Sequence, residues 1–190
     1  MPLLDEIAEI AAGHAFRGAV VREEGAESRV IQMSNVDRQS GVDWAGLDPA
    51  VPPGRKEPDW LCPGDVVFLA RGRKNFALHL SDLPDGRFVC TQHFFVIRIK
   101  DLRFSPAFIS WQINQKPIQD YLDMNAAGSN SRNITAGVLK RAEILLASEE
   151  HQQAVSKLET LIYREHLLIQ SLISTREEQM SALASTLLRK

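Results

Sequence analysis

Ser148-Glu149-Glu150-His151-Gln152-Gln153-Ala154-Val155-Ser156-Lys157-Leu158 opens a run to Lys190 that holds no glycine and no proline, although the chain has 11 and 9 of them. Nothing in that run interrupts a helix. Ser148 is a good N-cap, and Glu149 and Glu150 place negative charge in the first turn, where the helix dipole favours it. The apolar ladder is Val155, Leu158, Ile162, Ile169, Leu172, Met180, Leu183 and Leu187. Counting the gaps over Glu165 and Arg176 as two steps each, it covers 32 residues in nine steps, about 3.56 residues per step. That lies between a straight helix and a coiled coil. About 40 residues at roughly 1.5 Å each make a rod some 60 Å long, longer than a domain of ~145 residues is wide. Part of the rod must project, and an amphipathic projecting rod needs a partner. The alternative is a helix folded back on its own core.

The residues before it have another texture. Residues 1–147 hold every Gly, every Pro and all 3 Trp. Leu4, Ile7, Ala8 and Ala11 have helical spacing, which predicts a helix over Leu4–Ala12 with Gly13 as its stop. Val30-Ile31-Gln32-Met33 is extended in character. Residues 37–60, rich in Asp, Gly and Pro, read as a long surface loop. Pro63-Gly64-Asp65 is a turn into Val66-Val67-Phe68-Leu69-Ala70, a buried strand. Pro84-Asp85-Gly86 precedes Arg87-Phe88-Val89-Cys90, and Phe94-Phe95-Val96-Ile97-Arg98-Ile99 is the strongest strand pattern in the chain. Ser105-Pro106 opens a helix to about Asn125, which Pro117 must end or kink partway. A polar loop follows over 127–133, and Ile144-Leu145-Leu146 reads as a last short strand. The expected fold class is α+β: a mixed-sheet domain over 1–147, then a helix over 148–190 that pairs in a coiled coil.

Composition excludes several classes. With 44% hydrophobic and 24% charged residues the chain is an ordinary globular protein. Its 22 basic and 24 acidic residues leave a net charge of -2, so any nucleic-acid binding must come from a local patch. No apolar run approaches the ~20 residues of a membrane span. The acidic start Met1-Pro2-Leu3-Leu4-Asp5-Glu6 is unlike a signal peptide, and Cys62 and Cys90 make no disulfide framework; the expectation is a cytoplasmic protein.

The usual enzyme signatures are missing. There is no phosphate-cradling G-x-x-x-x-G-K-[ST], no G-x-G-x-x-G after a strand and no G-x-S-x-G. The five histidines are scattered, so no catalytic residue and no metal site is expected. Neither the Asn/Asp-Pro-Pro-aromatic motif of amino methyltransferases nor the paired acids of metal-dependent nucleases is present. What remains suits recognition. Arg71, Arg73, Lys74 and Asn75 leave the end of a strand together, and Ser129, Asn130, Arg132 and Asn133 lie in the later polar loop. Such cations neutralise phosphates, and Arg and Asn side chains read base edges. A basic tetrapeptide is also a common solvated turn.

The order of these motifs resembles one half of the specificity (S) subunit of type I restriction–modification systems. The residues that carry the likeness are Leu4 to Ile10 with Gly13 and Phe16-Arg17; Ile31-Gln32-Met33 with Asn35-Val36; and Leu61 to Phe68 with Arg71-Gly72. They continue with Phe95 to Arg98, Ser105 to Phe108 with Ile113-Asn114, Gly128-Ser129 leading to Ile134, and Ile144 to Leu146. Glu149 to Gln152, Val155 and Leu158 then open the long helix. The chain departs at Leu146-Ala147-Ser148, where the family usually has Pro. The resemblance implies a target recognition domain over 1–147 that reads one half of a split DNA site. Over 148–190 it implies a spacer helix that pairs in a coiled coil and docks a methyltransferase. It implies no cofactor here: S-adenosylmethionine and ATP belong to partner subunits, an adenine methyltransferase and an optional nuclease/translocase. Because this chain holds one such domain and one spacer, a homodimer on a bipartite site is the expected assembly. A second reading keeps the fold and the methyltransferase contact without reading DNA, and the net charge favours it. A stand-alone enzyme is the third.

Overall fold

The computed structural model describes residues 1–54, 57–127 and 132–188. In chain order these form α1 (Leu4–Ile7), β1 (Ala8–Ala12), β2 (Ser28–Ile31), a 3-10 turn (Met33–Asn35), β3 (Val36–Asp37), β4 (Gly41–Val42) and β5 (Asp48–Pro49). They continue as β6 (Val66–Leu69), β7 (Arg71–Gly72), β8 (Phe76–His79), β9 (Arg87–Cys90) and β10 (Phe94–Ile99). The remainder is α2 (Pro106–Ile113), α3 (Lys116–Asn125), β11 (Arg132–Asn133), α4 (Ala136–Lys140) and α5 (Glu149–Leu187).

The centre is a four-stranded antiparallel sheet in the order β1-β10-β6-β8. Strand β6 is buried along its whole length because both faces are covered, which is why Val66-Val67-Phe68-Leu69 is apolar without alternation. Val66, Phe68 and Ile97 pack against Ile109, Ile113, Leu122 and Leu139 of the helices. Val67, Leu69, Phe94 and Val96 face the other way, onto Ile31, Phe88 and Cys90 of a second sheet, β5-β2-β9. The compact part therefore has three layers: helices, sheet, smaller sheet. The fold is α+β with a long C-terminal helix.

Several expectations need correction. The helix expected over Leu4–Ala12 ends at Ile7, and Ala8–Ala12 becomes an edge strand paired with β10. Five backbone pairings on the chain's strongest strand outweigh a weak helical periodicity. Gly13 is not a helix stop but a close approach: a Cβ there would lie 2.2 Å from the Thr91 carbonyl oxygen. Residues 144–146 form no strand; Ile144 is fully buried, and the Gln112 amide clamps Leu145 through both its main-chain N and O (2.9 Å each). The segment 37–60 is more than surface loop, since it contributes β4, β5 and the buried Val42, Leu47 and Ala50. Helix α4 has no counterpart in the sequence reading. The break at Pro117 is as expected, with Pro117 in the first turn of α3.

The turn Pro63-Gly64-Asp65 turns out to be an anchor. Asp65, buried to 3% exposure, accepts from Cys62 N (2.9 Å) and from Arg98 on β10 through Nε and Nη2 (2.9 and 3.1 Å). Arg98 also binds the Asp59 carboxylate and the Trp60 carbonyl. These acids, Asp65 first, hold the Arg98 guanidinium charged far beyond ordinary titration.

Helix α5 starts as the sequence predicts. Ser148 accepts from His151 N (3.4 Å), and the Gln152 side chain bonds Ser105 N, Arg103 O and Ala147 O at 2.8–3.0 Å. After the half-buried His166, every described residue of the helix is exposed. That free part is about 20 residues, roughly 30 Å of rod.

Candidate nucleic-acid interface

Strand β6 is followed by Ala70, whose N donates to the His93 carbonyl and whose carbonyl accepts from Ile134 N (2.9 Å each). The chain on either side of Ala70 is thereby drawn against the segment after residue 131. There β7 and β11 pair antiparallel, Arg71 opposite Asn133 and Gly72 opposite Arg132. Two candidate segments that lie some 60 positions apart in the sequence therefore form one two-stranded ribbon. A ribbon of this kind is one of the two elements that fit a DNA major groove.

The residues on it differ in character. Arg71, Arg73 and Lys74 are exposed and form no salt bridge among the described residues. Arg132 is exposed but pairs with Asp123 at 2.6 Å, so part of its charge is already used. Asn133 is half-buried, its main chain bonded to Ala127. Asn75 corrects the expectation: it is 4% exposed and its Nδ2 donates to the Leu69 carbonyl at 3.0 Å, so it closes the turn rather than facing a ligand. Ser129 and Asn130 lie outside the described residues. Beside the ribbon, burial and then the Arg71 charge lower the pKa of His93.

The ribbon gives onto an open cleft of about 880 Å³ between the compact part and α5. Lys74 and Arg132 line one part of it, Arg38 and Gly41 of the β3–β4 hairpin another, and Tyr163 and His166 of α5 a third. Asp37 and Glu159 also line it, so its charge is mixed. Arg38 escaped the sequence reading because its segment read as plain loop. Its only prior signal was Asp37-Arg38-Gln39-Ser40-Gly41, a turn composition.

Among the described residues no group of three His, Cys, Asp or Glu is placed to hold a metal ion. Burial pushes the Cys90 thiol up to about 12, leaving it unreactive. Cys62 is exposed. No described helix is long and apolar enough to cross a membrane.

No protein-family model and no curated protein matches the chain. Solved structures do. The S subunit of a type I restriction–modification system from M. genitalium superposes with a TM-score of 0.61 at 16% identity, over 98% of this chain and 44% of that one. The HsdS subunit from Thermoanaerobacter tengcongensis gives 0.58 at 15%, over 98% and 43%. A chain from a structure describing complex assembly and conformational transition of the type I R-M system gives 0.60 at 15%, over 95% and 42%. The fold is that of a type I S subunit. This chain spans less than half the length of the S subunits it matches, and the superposition includes nearly all of it, long helix included.

The partner ladder of α5 can now be placed. Leu158, Ile162, Ile169, Leu172, Met180, Leu183 and Leu187 are each about half exposed or more, and Val155 is half-buried. At about 100° per residue, this stripe lies roughly a quarter turn from the side that carries Gln152, Ser156, Tyr163 and His166. The helix thus has one face against the compact part and another that the described residues leave open.

Proposed function

We propose that the chain is a DNA-recognition subunit of a type I restriction–modification system, with residues 1–147 reading one half-site and 148–190 acting as spacer. The observation that carries this reading is the ribbon: Arg71 and Arg132 come from distant segments onto paired strands of an S-subunit fold, with the exposed Arg73 and Lys74 in the turn directly after β7. The subunit itself is non-catalytic. Adenine methylation comes from a partner methyltransferase that binds S-adenosylmethionine, and cleavage from an ATP-driven nuclease/translocase where the system has one. The open apolar stripe of α5 pairs with a second copy; antiparallel pairing closes the assembly with two-fold symmetry and puts the recognition domains at opposite ends. Its target is then a bipartite inverted repeat.

The test is binding of the chain, with and without its methyltransferase, to random duplexes across a range of salt. Contact with several phosphates weakens steeply as salt rises. Arg71→Ala should cost roughly 1–3 kcal/mol if it reads a base, and less with a shallower salt slope if it meets phosphate alone. Arg132→Ala should cost less than Arg71→Ala, because Asp123 already pairs with it. A second reading, a module that binds the methyltransferase without DNA, draws support from that pairing and from the net charge of -2. It predicts no binding to any duplex even in the complex.

A further inference from the structure

A rod held only at its root points nowhere in particular. The Ser148 cap and the Gln152 bonds secure the first turn of α5, whereas after His166 every described residue of the helix is exposed. A tilt of about 10° about that root moves the far end of a ~57 Å rod by about 10 Å, or about three base pairs of duplex.

A second contact lies three turns along, about 16 Å from Gln152. There the ring of Tyr163 rests on Gly41. A Cβ on Gly41 would stand 3.1 Å from Tyr163 Cε2 and 3.4 Å from its Oη, so the seat admits hydrogen and little more. Gly41 is also at φ +74°, where other residues are strained. The hairpin tip that presents it is braced on both sides. Asp37 Oδ1 accepts from Gln39 N and Ser40 N (2.8 and 3.0 Å), and Arg38 Nη2 donates to the Asn114 carbonyl at the end of α2 (3.1 Å). The Asn114 amide in turn bonds both N and O of Ala77 on β8, at 2.8 Å each. Strand β8 follows directly on the Arg71–Asn75 turn. A continuous set of short contacts therefore runs from the cation-bearing ribbon, through β8, Asn114, Arg38 and Gly41, to Tyr163.

We propose that Tyr163, seated on Gly41, is a positioning residue that sets the direction of the free half of α5 relative to the β7–β11 ribbon. If the DNA reading above holds, on which this consequence rests, that direction decides which spacing between half-sites the assembly accepts. Its Oη makes no hydrogen bond among the described residues, so the ring alone does the work and Tyr163→Phe should behave as wild type.

The test measures direction first and DNA second. Cys62 is exposed and Cys90 buried, so a spin label goes on Cys62 and a second on Ser181→Cys. The doubly labelled chain is diluted with unlabelled Cys62→Ser chain, so that pairs within one chain dominate the electron–electron distance. Wild type and Tyr163→Phe should give one narrow distribution, Tyr163→Ala a broad one with an unchanged thermal midpoint, and Gly41→Val a displaced one. A Tyr163→Ala distribution as narrow as wild type overturns the proposal. The complex with its methyltransferase is then offered duplexes whose half-sites lie at varied spacing. Wild type should methylate one spacing, and Tyr163→Ala its neighbours as well with the half-sites unchanged. Broadened distances with no methylation by wild type at any spacing support the strut and overturn the DNA reading. Broadened distances with undiminished spacing selectivity overturn the role in site choice.

Discussion

The compact part and the free half of α5 solve opposite problems. In the compact part, polar side chains turn inward and bind main chain: Gln92 to Phe16, Gln112 to Leu145, Asn114 to Ala77, Gln152 to three groups at once. Each supplies an amide that replaces water for backbone cut off from it. In the free half of α5, apolar side chains turn outward, with Leu168 71% and Leu172 53% exposed. The first region buries its apolar side chains against its own elements. The second does not, since burying each such side chain is worth roughly 1.5–3 kcal/mol that this chain alone cannot collect. Mutations should therefore report folding in one region and association in the other.

The sharpest way to break that contrast is at the anchor under the turn. Asp65→Ala strands Arg98 and the Cys62 N–H, and should lower stability by about 3 kcal/mol, the low end for a buried pair because Arg98 is one-third exposed. Urea unfolding followed by Trp fluorescence measures it. A loss under ~0.5 kcal/mol would mean that the turn is held by something else. At the junction, Gln152→Ala leaves Ser105 N without its partner and should cost about 2 kcal/mol. Amide exchange should then quicken in the first turns of α5 while the sheet stays protected. Ser148→Ala should cost about 0.5 kcal/mol, since its bond to His151 N is long at 3.4 Å. The smallest effect on folding belongs to Leu172→Asp, within ~0.5 kcal/mol of wild type by urea midpoint. Its signature is mass: light scattering should move from twice 21.3 kDa towards 21.3 kDa. A fall in folding stability with no change in mass would place Leu172 in the chain's own core and reverse the comparison.

Legibility followed the same division. The strands β6, β9 and β10 and the helix α5 were readable because runs such as Val66-Val67-Phe68-Leu69 and the uninterrupted 148–190 segment allow few alternatives. Strand β1 was not readable: Ala8-Glu9-Ile10-Ala11-Ala12 has helical character, and only the waiting edge of β10 makes it a strand. Of the candidate site, the cations at 71–74 and at 132 were legible as types, and the role of Asn75 was misread, because burial depends on a turn whose closure local composition does not encode.

By itself, then, the sequence determined the elements whose residues agree locally: a buried central strand, a broken helix at Pro117, a capped rod with an apolar stripe. Only the tertiary structure decided the pairings over long separations. Arg71 meets Asn133, Gly41 meets Tyr163, and Asp65 meets Arg98 because sheet register and layer packing bring them together. Periodicity records which face of a segment is apolar, whereas the partner of that face is chosen by the competition among all segments for one core.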